Sequence, residues 1–327
     1  MTIFAIRGSE ELLHVRFATS PLWETLAAVR SLIDERAGAH HEPWHAAVRD
    51  RAARIDLAPL LATQPRHGYV PDFLTPPPSG PSPRLRDQLA QVRETPPGQA
   101  AEELRRCRAD SGGDAAALLE RLAADPGAAV ELLADRLHEV WRELVAPFWP
   151  RVRALLDGDV DRRSRTLARY GLARLFDDLD PRIRRRDAGL EVADGDATTV
   201  QLDSRGLLLM PSAYLAPAVA AIVDEPWQPT IVYPARGIGK LWRRPAAPPE
   251  SLARLVGPTR ALVLATVDRP LSTTALAALT ELSPAGVSRH LLALRDAGLL
   301  ATARRGHEVR YAPTALGLAL LKANRSG

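Results

Sequence analysis

The stretch Ser283–Leu300, SPAGVSRHLLALRDAGLL, constrains the fold of this chain more than any other segment. Ser283 is a favourable helix N-cap, and Pro284 suits the first helical position, where no backbone donor is needed. Apolar side chains then recur at helical spacing, at Val287, Leu291, Leu294 and Leu299. Gly298 favours a helix stop, because glycine adopts the left-handed conformation without steric cost. The pattern predicts a capped helix of which one face is buried.

The segments that flank this helix complete a known order of elements. Leu252–Val267 and a stretch that begins near Ser272 have helical patterns, and a short turn then leads into the capped helix. Beyond it, Leu299–Pro313 has the pattern of a hairpin with a basic tip, and Thr314–Ala323 has the pattern of a last helix. Three helices, a hairpin and a closing helix indicate a winged helix-turn-helix domain over Glu250–Gly327.

The distribution of charge supports contact between this domain and a polyanion. The whole chain has a formal net charge of +4. Residues 250–327 hold ten Lys and Arg against five Asp and Glu, whereas the other residues hold 33 against 34. The excess of positive charge therefore lies in the last quarter of the chain, as expected for a domain that binds double-stranded DNA. A winged helix that binds another protein is the alternative function.

We expect DNA contacts from the exposed side of the third helix, the start of the second helix and the hairpin, which would be the wing. Base contacts are expected from Ser288, Arg289 or His290, and a small residue such as Ala285 meets a thymine methyl group. The arginines would contact phosphates and set affinity and register. The predicted DNA-contacting residues are Thr273, Thr274, Ser283, Ala285, Gly286, Ser288, Arg289, His290, Arg295, Arg304, Arg305, His307, Arg310 and Tyr311.

The sequence LSPAGVSRHLLALRDAGLLATARRGHEVRYAPT resembles the ArsR family of winged-helix transcription regulators. The family pattern S-x-H-L-x-x-L-x-x-A-G-L, followed by a basic wing that ends in tyrosine, is matched by Ser288, His290, Leu291, Leu294, Ala297, Gly298, Leu299 and Tyr311. Upstream, SPLWE, GYVPDFLTPPP and DEPWQPTIVYPARG are similar to a large uncharacterised N-terminal region of some actinobacterial members. The resemblance implies a repressor that binds a two-fold-related operator as a homodimer. The dimer would form through the first and last helices of the winged domain, Leu252–Val267 and Thr314–Ala323.

The sites that metal-sensing ArsR proteins use lack their ligands in this chain. Such proteins carry paired cysteines at the start of the second helix, where this chain reads Ser272-Thr273-Thr274. Others use Asp, His or Glu in the terminal helix, and Thr314–Ala323 contains none of these. We therefore expect no metal at the family's usual sites, and we expect no cofactor.

The segment His41–His45, HEPWH, formally matches the H-E-x-x-H signature of zinc peptidases. That signature needs both histidines one turn apart on a continuous helix, with Glu42 as the general base. Proline belongs in the first turn of a helix, so Pro43 predicts that His41 precedes the helix and points away from His45. No third ligand is apparent, so a zinc peptidase is only a remote alternative and we expect no enzymatic activity.

The larger N-terminal part predicts a domain of mixed helix and strand. Glu11–Ala18 alternates as a strand does, and Pro21 opens a helical pattern. Val70–Pro83 is rich in proline and predicts an extended connection over residues 70–83, ahead of a mostly helical stretch from Arg84 to Leu179. Gly189–Val232 consists of short β-rich pieces, which predict a small antiparallel sheet.

The sequence thus predicts an α+β protein with two domains joined by a linker. The N-terminal mixed α/β domain would span residues 1–236, with a helical middle and a small antiparallel sheet, and the linker residues 237–249. The winged helix-turn-helix domain would span residues 250–327. A single cysteine and the lack of a long apolar run favour a cytoplasmic protein. Residues 1–236 would form an effector or dimerisation domain for an unidentified small-molecule effector, or a protein-docking domain.

Overall fold

The computed structural model describes residues 1–6, 14–33, 35–65, 68–186, 189–194, 198–242, 247–267, 269–305 and 308–324. The chain separates into two compact units. Met1–Pro147 and Asp159–Ile238 form the first unit, and Phe148–Gly158 and Gly239–Gly327 form the second. The first unit combines helices with mixed sheets and the second contains a helix-turn-helix with a wing, so the predicted α+β fold class is confirmed. No helix in the described ranges is both long enough and apolar enough to cross a membrane.

Helices fill the middle of the first unit, as the sequence predicts. The first, α1, spans Pro21–Ser31, and the Ser20 side chain caps it by accepting a hydrogen bond from the Trp23 backbone nitrogen at 3.0 Å. The next helices are α2 (Glu35–Ala52), α3 (Ala58–Ala62), α4 (Leu85–Arg93), α5 (Pro97–Ala109), α6 (Gly113–Ala124) and α7 (Pro126–Val140), which continues into the π-helical turn Trp141–Val145. The helix α8, Trp149–Asp177, is interrupted at Gly171, and its first turns belong to the second unit.

The described strands of the first unit form two mixed sheets. One sheet contains β1 (Thr2–Ala5), β3 (Ile183–Arg186), β4 (Gly189–Val192) and β5 (Thr198–Gln201), in the order β3-β4-β1-β5. The other contains β2 (Val15–Phe17), β6 (Leu207–Ser212), β7 (Ala220–Ile222) and β8 (Thr230–Pro234), in the order β2-β6-β8-β7. β1 pairs parallel with β5, and β6 pairs parallel with β2 and β8. The strands predicted within Gly189–Val232 are thus present, but β6 and β8 pair parallel with each other rather than antiparallel. The N-terminal strands β1 and β2 add two further parallel ladders.

The proline-rich segment 70–83, predicted as a largely extended connection, contains one short helical turn. Asp72–Leu74 forms a 3₁₀ turn, and the side chains of Phe73 and Leu74 are fully buried. The Glu103 carboxylate on α5 accepts a hydrogen bond from the Phe73 backbone nitrogen at 2.9 Å. Burial of the two large apolar side chains, worth roughly 1.5–3 kcal/mol each, holds the segment against the unit.

His41 and His45 lie on one continuous helix, so the prediction that His41 precedes the helix was wrong. The helix α2 runs through Pro43 without a break. The side chains of His41 and Trp44 are fully buried, and the Trp44 indole donates a hydrogen bond to the Leu144 carbonyl oxygen at 3.1 Å. Because this face is buried, packing stabilises the helix across a residue that has no backbone N–H to donate.

The buried His41 imidazole packs as an aromatic side chain of the core. Its ring centroid lies 4.9 Å from that of Tyr214. Burial, together with the neighbouring His45 and His40, lowers the pKa of His41 from 6.5 to about 4. Within the described residues no group of three His, Cys, Asp or Glu side chains is placed to hold a metal ion.

Glu24, in the first turn of α1, is a fully buried carboxyl group. It accepts hydrogen bonds from the backbone nitrogens of Ala213 at 2.9 Å and Tyr214 at 3.3 Å. Burial raises the pKa of Glu24 from 4.5 to about 7, although these hydrogen bonds act in the opposite direction. A carboxyl group whose pKa is raised by folding stabilises the fold below its unfolded pKa, and this stability is lost as the pH rises through about 7.

We expect Glu24→Gln to become relatively more stable than the unmodified protein as the pH rises from about 5 to about 8. Glutamine keeps an oxygen that accepts the hydrogen bond from Ala213, and it does not ionise. The measurement is the difference in Tm between the two proteins across this range at constant ionic strength. Glu94→Gln, at an exposed carboxyl group, is the control and should show a constant difference. A Tm difference for Glu24→Gln that does not change with pH would contradict the expectation.

The second unit has the order of helices and strands that the sequence predicts for its winged domain. Its elements after α8 are α9 (Glu250–Val256), α10 (Pro258–Thr266), β9 (Leu271–Ser272), α11 (Thr273–Thr280), α12 (Pro284–Asp296), β10 (Leu300–Arg305), β11 (Glu308–Pro313) and α13 (Ala315–Ala323). The strands pair antiparallel in the order β10-β11-β9. The predicted first helix, Leu252–Val267, is divided into α9 and α10 at Gly257, whose φ of 88° favours glycine.

Candidate nucleic-acid interface

The helix α12 is capped and packed as its sequence predicts. The Ser283 side chain accepts a hydrogen bond from the Gly286 backbone nitrogen at 3.1 Å, and Pro284 occupies the first helical position. Its buried stripe consists of Val287, Leu291 and Leu294. Gly298 follows the helix with a φ of 71°, in the left-handed region that a helix stop requires. One face of α12 is therefore fixed in the core of the second unit.

The opposite side of α12 carries the residues that were predicted to contact DNA. Ala285 and Arg289 are exposed, and Ser288 and His290 are half-buried. Arg289 has no ion-pair partner among the described residues, so its guanidinium is available to a ligand. Since the Ser283 oxygen is occupied by the cap, hydrogen bonding to bases would depend chiefly on the side chains at 288–290.

The second helix of the motif, α11, is fixed at both ends. The Ser272 side chain accepts a hydrogen bond from the Ala275 backbone nitrogen at 3.2 Å, a capping role that explains serine at this position. After the helix, Glu281 adopts a left-handed φ of 58° and turns the chain toward α12. Thr274 is exposed and Thr273 half-buried in the first turn, where backbone N–H groups and the helix dipole favour a phosphate.

The wing is the antiparallel hairpin of β10 and β11. Its register pairs Ala303 with Arg310 and Arg304 with Val309. Arg304 is exposed near the tip, in a position suited to a phosphate. His307 and the side chain of Arg305, which were also predicted to contact DNA, lie outside the described residues.

Arg310 and Tyr311, which were predicted to contact DNA, are buried in the second unit, and their contact with DNA stays a prediction. The Arg310 guanidinium lies 2.5 Å from the Asp157 carboxylate and 3.3 Å from that of Glu308, and 8% of its side chain is exposed. Tyr311 belongs to the hydrophobic core of the unit and is 7% exposed. Successive residues of a strand point to opposite faces. Tyr311 therefore enters the core, whereas the first turns of α8 cover Arg310 on the other face.

These first turns of α8 make further polar contacts that no sequence pattern predicted. The Arg151 Nε donates a hydrogen bond to the Ala278 carbonyl oxygen at 2.8 Å, and its Nη2 lies 3.6 Å from the Glu281 carboxylate. Arg153 lies 3.8 Å from the carboxylate of Glu308 on the wing. The four-residue spacing of Arg153 and Asp157 places both side chains on the same face of a helix, but the spacing alone does not show what that face contacts.

Arg295, near the C-terminal end of α12, has an acidic neighbour. Its Nη2 lies 2.7 Å from the carboxylate of Asp296, and both side chains are exposed. An exposed ion pair of this kind contributes little stability, so the guanidinium can exchange its partner for a phosphate. The predicted contact between Arg295 and DNA stays a prediction.

Comparison with known proteins gives separate matches for two parts of the chain. Residues 241–303 match the model of a helix-turn-helix domain. Residues 86–239 match the model of a family of unknown function, DUF5937. No curated protein and no solved structure matches the chain. The helix-turn-helix match, together with the capped helix α12 and its wing, defines a DNA-binding transcription regulator.

Proposed function

We propose that this protein is a cytoplasmic repressor of the ArsR type that binds a two-fold-related operator as a homodimer. The observation that carries the proposal is the position of α12, which is packed through Val287 and Leu291 and open along Ala285 and Arg289. A helix anchored in this way enters a major groove without losing its own packing. In this proposal the protein acts by binding DNA rather than by catalysis, without a metal or cofactor.

Few side chains on α12 can distinguish bases by hydrogen bonds. Ala285 and Gly286, in the first turns, have no hydrogen-bonding side chain. Direct discrimination then rests on Ser288, Arg289 and His290, while the α11 N-terminus and Arg304 contact phosphates. We therefore expect half-site spacing and the shape of the DNA to contribute to specificity as much as base contacts do.

Exposed leucines on the first and last helices of the winged domain support dimerisation. Leu255 on α9 is 66% exposed, and Leu316 and Leu318 on α13 are 59% and 54% exposed. Burying such side chains between two copies would remove apolar surface from water, at roughly 25 cal/mol per Å². A dimer would present two α12 helices to half-sites about one helical turn, or roughly 34 Å, apart.

The double variant Leu316→Glu/Leu318→Glu is expected to be monomeric at micromolar concentration, because charged side chains resist burial in an apolar contact. Loss of the second half-site contact should weaken operator binding at least about tenfold. Light scattering coupled to size exclusion gives the mass, and fluorescence anisotropy gives the affinity. Ile33→Glu, which changes an apolar side chain that is 49% exposed in the first unit, is the control and should stay dimeric. A double variant that remains a dimer would place the contact elsewhere.

The proposed two-fold symmetry of the operator is tested by letting the full chain select binding sites from a random DNA library. A two-fold dimer should enrich inverted repeats. With the enriched site, Arg304→Ala should reduce the dependence of log Kd on log salt by about one phosphate contact for each protomer. Arg121→Ala, at an exposed arginine in the first unit, is the control and should leave the salt dependence unchanged. Enrichment of no site, or of unpaired half-sites only, would count against the proposed homodimer.

A further inference from the structure

The first unit has an open polar pocket of about 520 Å³ beside the start of its parallel strands. The strands β2, β6 and β8 run in the same direction, and the loops that precede β6 and β8 meet the start of β2. The lining residues are His14, Val15, Arg16, Ser79, Ser204, Arg205 and Gln228. Six of the seven side chains carry hydrogen-bond donors and none is a carboxylate, a composition that suits an anionic ligand.

Arg16 supplies this pocket with a positive charge that no carboxylate among the described residues neutralises. Its Nε donates a hydrogen bond to the Gln228 side-chain oxygen at 3.0 Å, and its Nη2 donates to the Pro78 carbonyl oxygen at 2.7 Å. Both acceptors are neutral, and within the described residues Arg16 has no ion pair and its Nη1 has no hydrogen-bond partner. Burial of the half-buried guanidinium lowers its pKa, because a cation loses hydration there without gaining a counter-charge.

The groups around Arg16 are held in place before any ligand arrives. The Gln228 side-chain nitrogen donates a hydrogen bond to the Arg205 carbonyl oxygen at 2.5 Å. Gly206 has a φ of 68°, and a Cβ atom there would lie 2.4 Å from the His14 carbonyl oxygen. The turn that carries Ser204 therefore approaches the start of β2 closely because position 206 is glycine.

The charge of Arg205 is balanced locally, unlike that of Arg16. Its guanidinium lies 2.7 Å from the Asp203 carboxylate and 3.6 Å from that of Glu225. Neither carboxylate lines the pocket. Arg205 thus adds donors to the wall, whereas Arg16 supplies the positive charge that has no counter-charge among the residues the structure describes.

We propose that this pocket binds the carboxylate or phosphate group of a small metabolite, with Arg16 as the anchoring cation. The Arg16 Nη1, which has no hydrogen-bond partner in the described part of the chain, presents two N–H groups to an oxyanion, and the hydroxyls of Ser79 and Ser204 supply further donors. The pocket volume is within the range of small-molecule sites, about 300–1,000 Å³, and exceeds what a bare ion fills. Control of repression by such a ligand would rest on the proposed function, whereas anion binding by the first unit does not.

The test is a thermal-shift titration of the full chain with inorganic phosphate and, separately, with succinate, at constant ionic strength. A ligand that binds only the folded protein raises Tm in a saturable way. A saturable shift with phosphate alone, succinate alone or both supports the proposal and identifies the anionic group that is preferred. The absence of a saturable shift with either probe would overturn it.

Variants then locate the site. Arg16→Gln should weaken the apparent affinity for the active probe by about tenfold, since it removes a charge-assisted contact worth roughly 1.5 kcal/mol. The double variant Ser79→Ala/Ser204→Ala keeps Arg16 and its structural hydrogen bonds and should also weaken the apparent affinity for the probe. It tests whether the probe binds in this pocket if Arg16→Gln fails to fold. Arg121→Gln is the matched control and should bind as the unmodified protein does. Unchanged affinity for the probe in the pocket variants would overturn the assignment of the site. DNA binding is measured in a separate experiment, so the proposed regulator function is tested independently of the pocket.

Discussion

Arg289→Ala is expected to weaken binding of the selected operator by about a hundredfold. The side chain is exposed on α12 and has no ion-pair partner among the described residues, so no intramolecular contact competes with DNA. A base or phosphate contact from this position is worth roughly 1–3 kcal/mol, and a homodimer makes it twice. A contact worth about 1.4 kcal/mol, within this range, corresponds to a factor of ten for each half-site. Fluorescence anisotropy at fixed salt measures the loss directly.

Two other arginines of the second unit serve as comparisons for this variant. Arg295→Ala should have a smaller effect, because Asp296 already lies 2.7 Å from that guanidinium. Arg260→Ala, at an exposed position on α10, should leave affinity within about twofold. If Arg260→Ala weakened binding as much as Arg289→Ala, DNA would contact a different surface. A loss that is uniform across operator sequences would assign Arg289 to phosphates rather than to bases.

The parts of the interface that the sequence predicted are those specified by local signals. The Ser283 cap, the buried position of Val287 and the left-handed Gly298 each depend on residues within a few positions along the chain. The same holds for the start of α1 at Pro21, in the first unit. Capping and helical spacing act over one or two turns, so a single sequence reveals them.

The positions where the structure differs from the local sequence pattern depend on contacts between distant parts of the chain. Arg310 has the appearance of a wing cation, yet Asp157, 153 positions earlier, pairs with it. Pro43 should lie in the first turn of a helix and leave His41 outside it, yet α2 runs through Pro43, where Trp44 packs against Leu144. Short strands also leave their partners undetermined, so pairing of β1 with β4 and β5 had no local signal. Tertiary packing overrides local propensity at each of these places.

Asp157→Ala is expected to destabilise the second unit by roughly 3–5 kcal/mol, since it leaves a buried guanidinium without its closest counter-charge. Arg310 would keep its contact with Glu308, but this contact is longer, at 3.3 Å, and the Glu308 side chain is 32% exposed. Glu308 therefore replaces Asp157 only in part. Hydrogen exchange of the backbone amides in α12 and β11 measures the change within the full chain. Asp296→Ala, which removes the carboxylate of an exposed pair, is the control and should change stability by less than about 1 kcal/mol. An equal effect of the two variants would mean that the pair with Asp157 contributes no more than a surface contact.

The double variant Asp157→Leu/Arg310→Met separates a structural role of Arg310 from a role in DNA binding. Removing both charges avoids an unpaired buried ion, so most of the stability lost in Asp157→Ala should return. Because the Arg310 guanidinium is covered by the first turns of α8, operator affinity and its salt dependence should then match those of the unmodified protein. A salt dependence reduced by about one phosphate contact for each protomer would show instead that Arg310 leaves Asp157 and contacts the operator. The pair would then exchange between a closed state and a DNA-bound state.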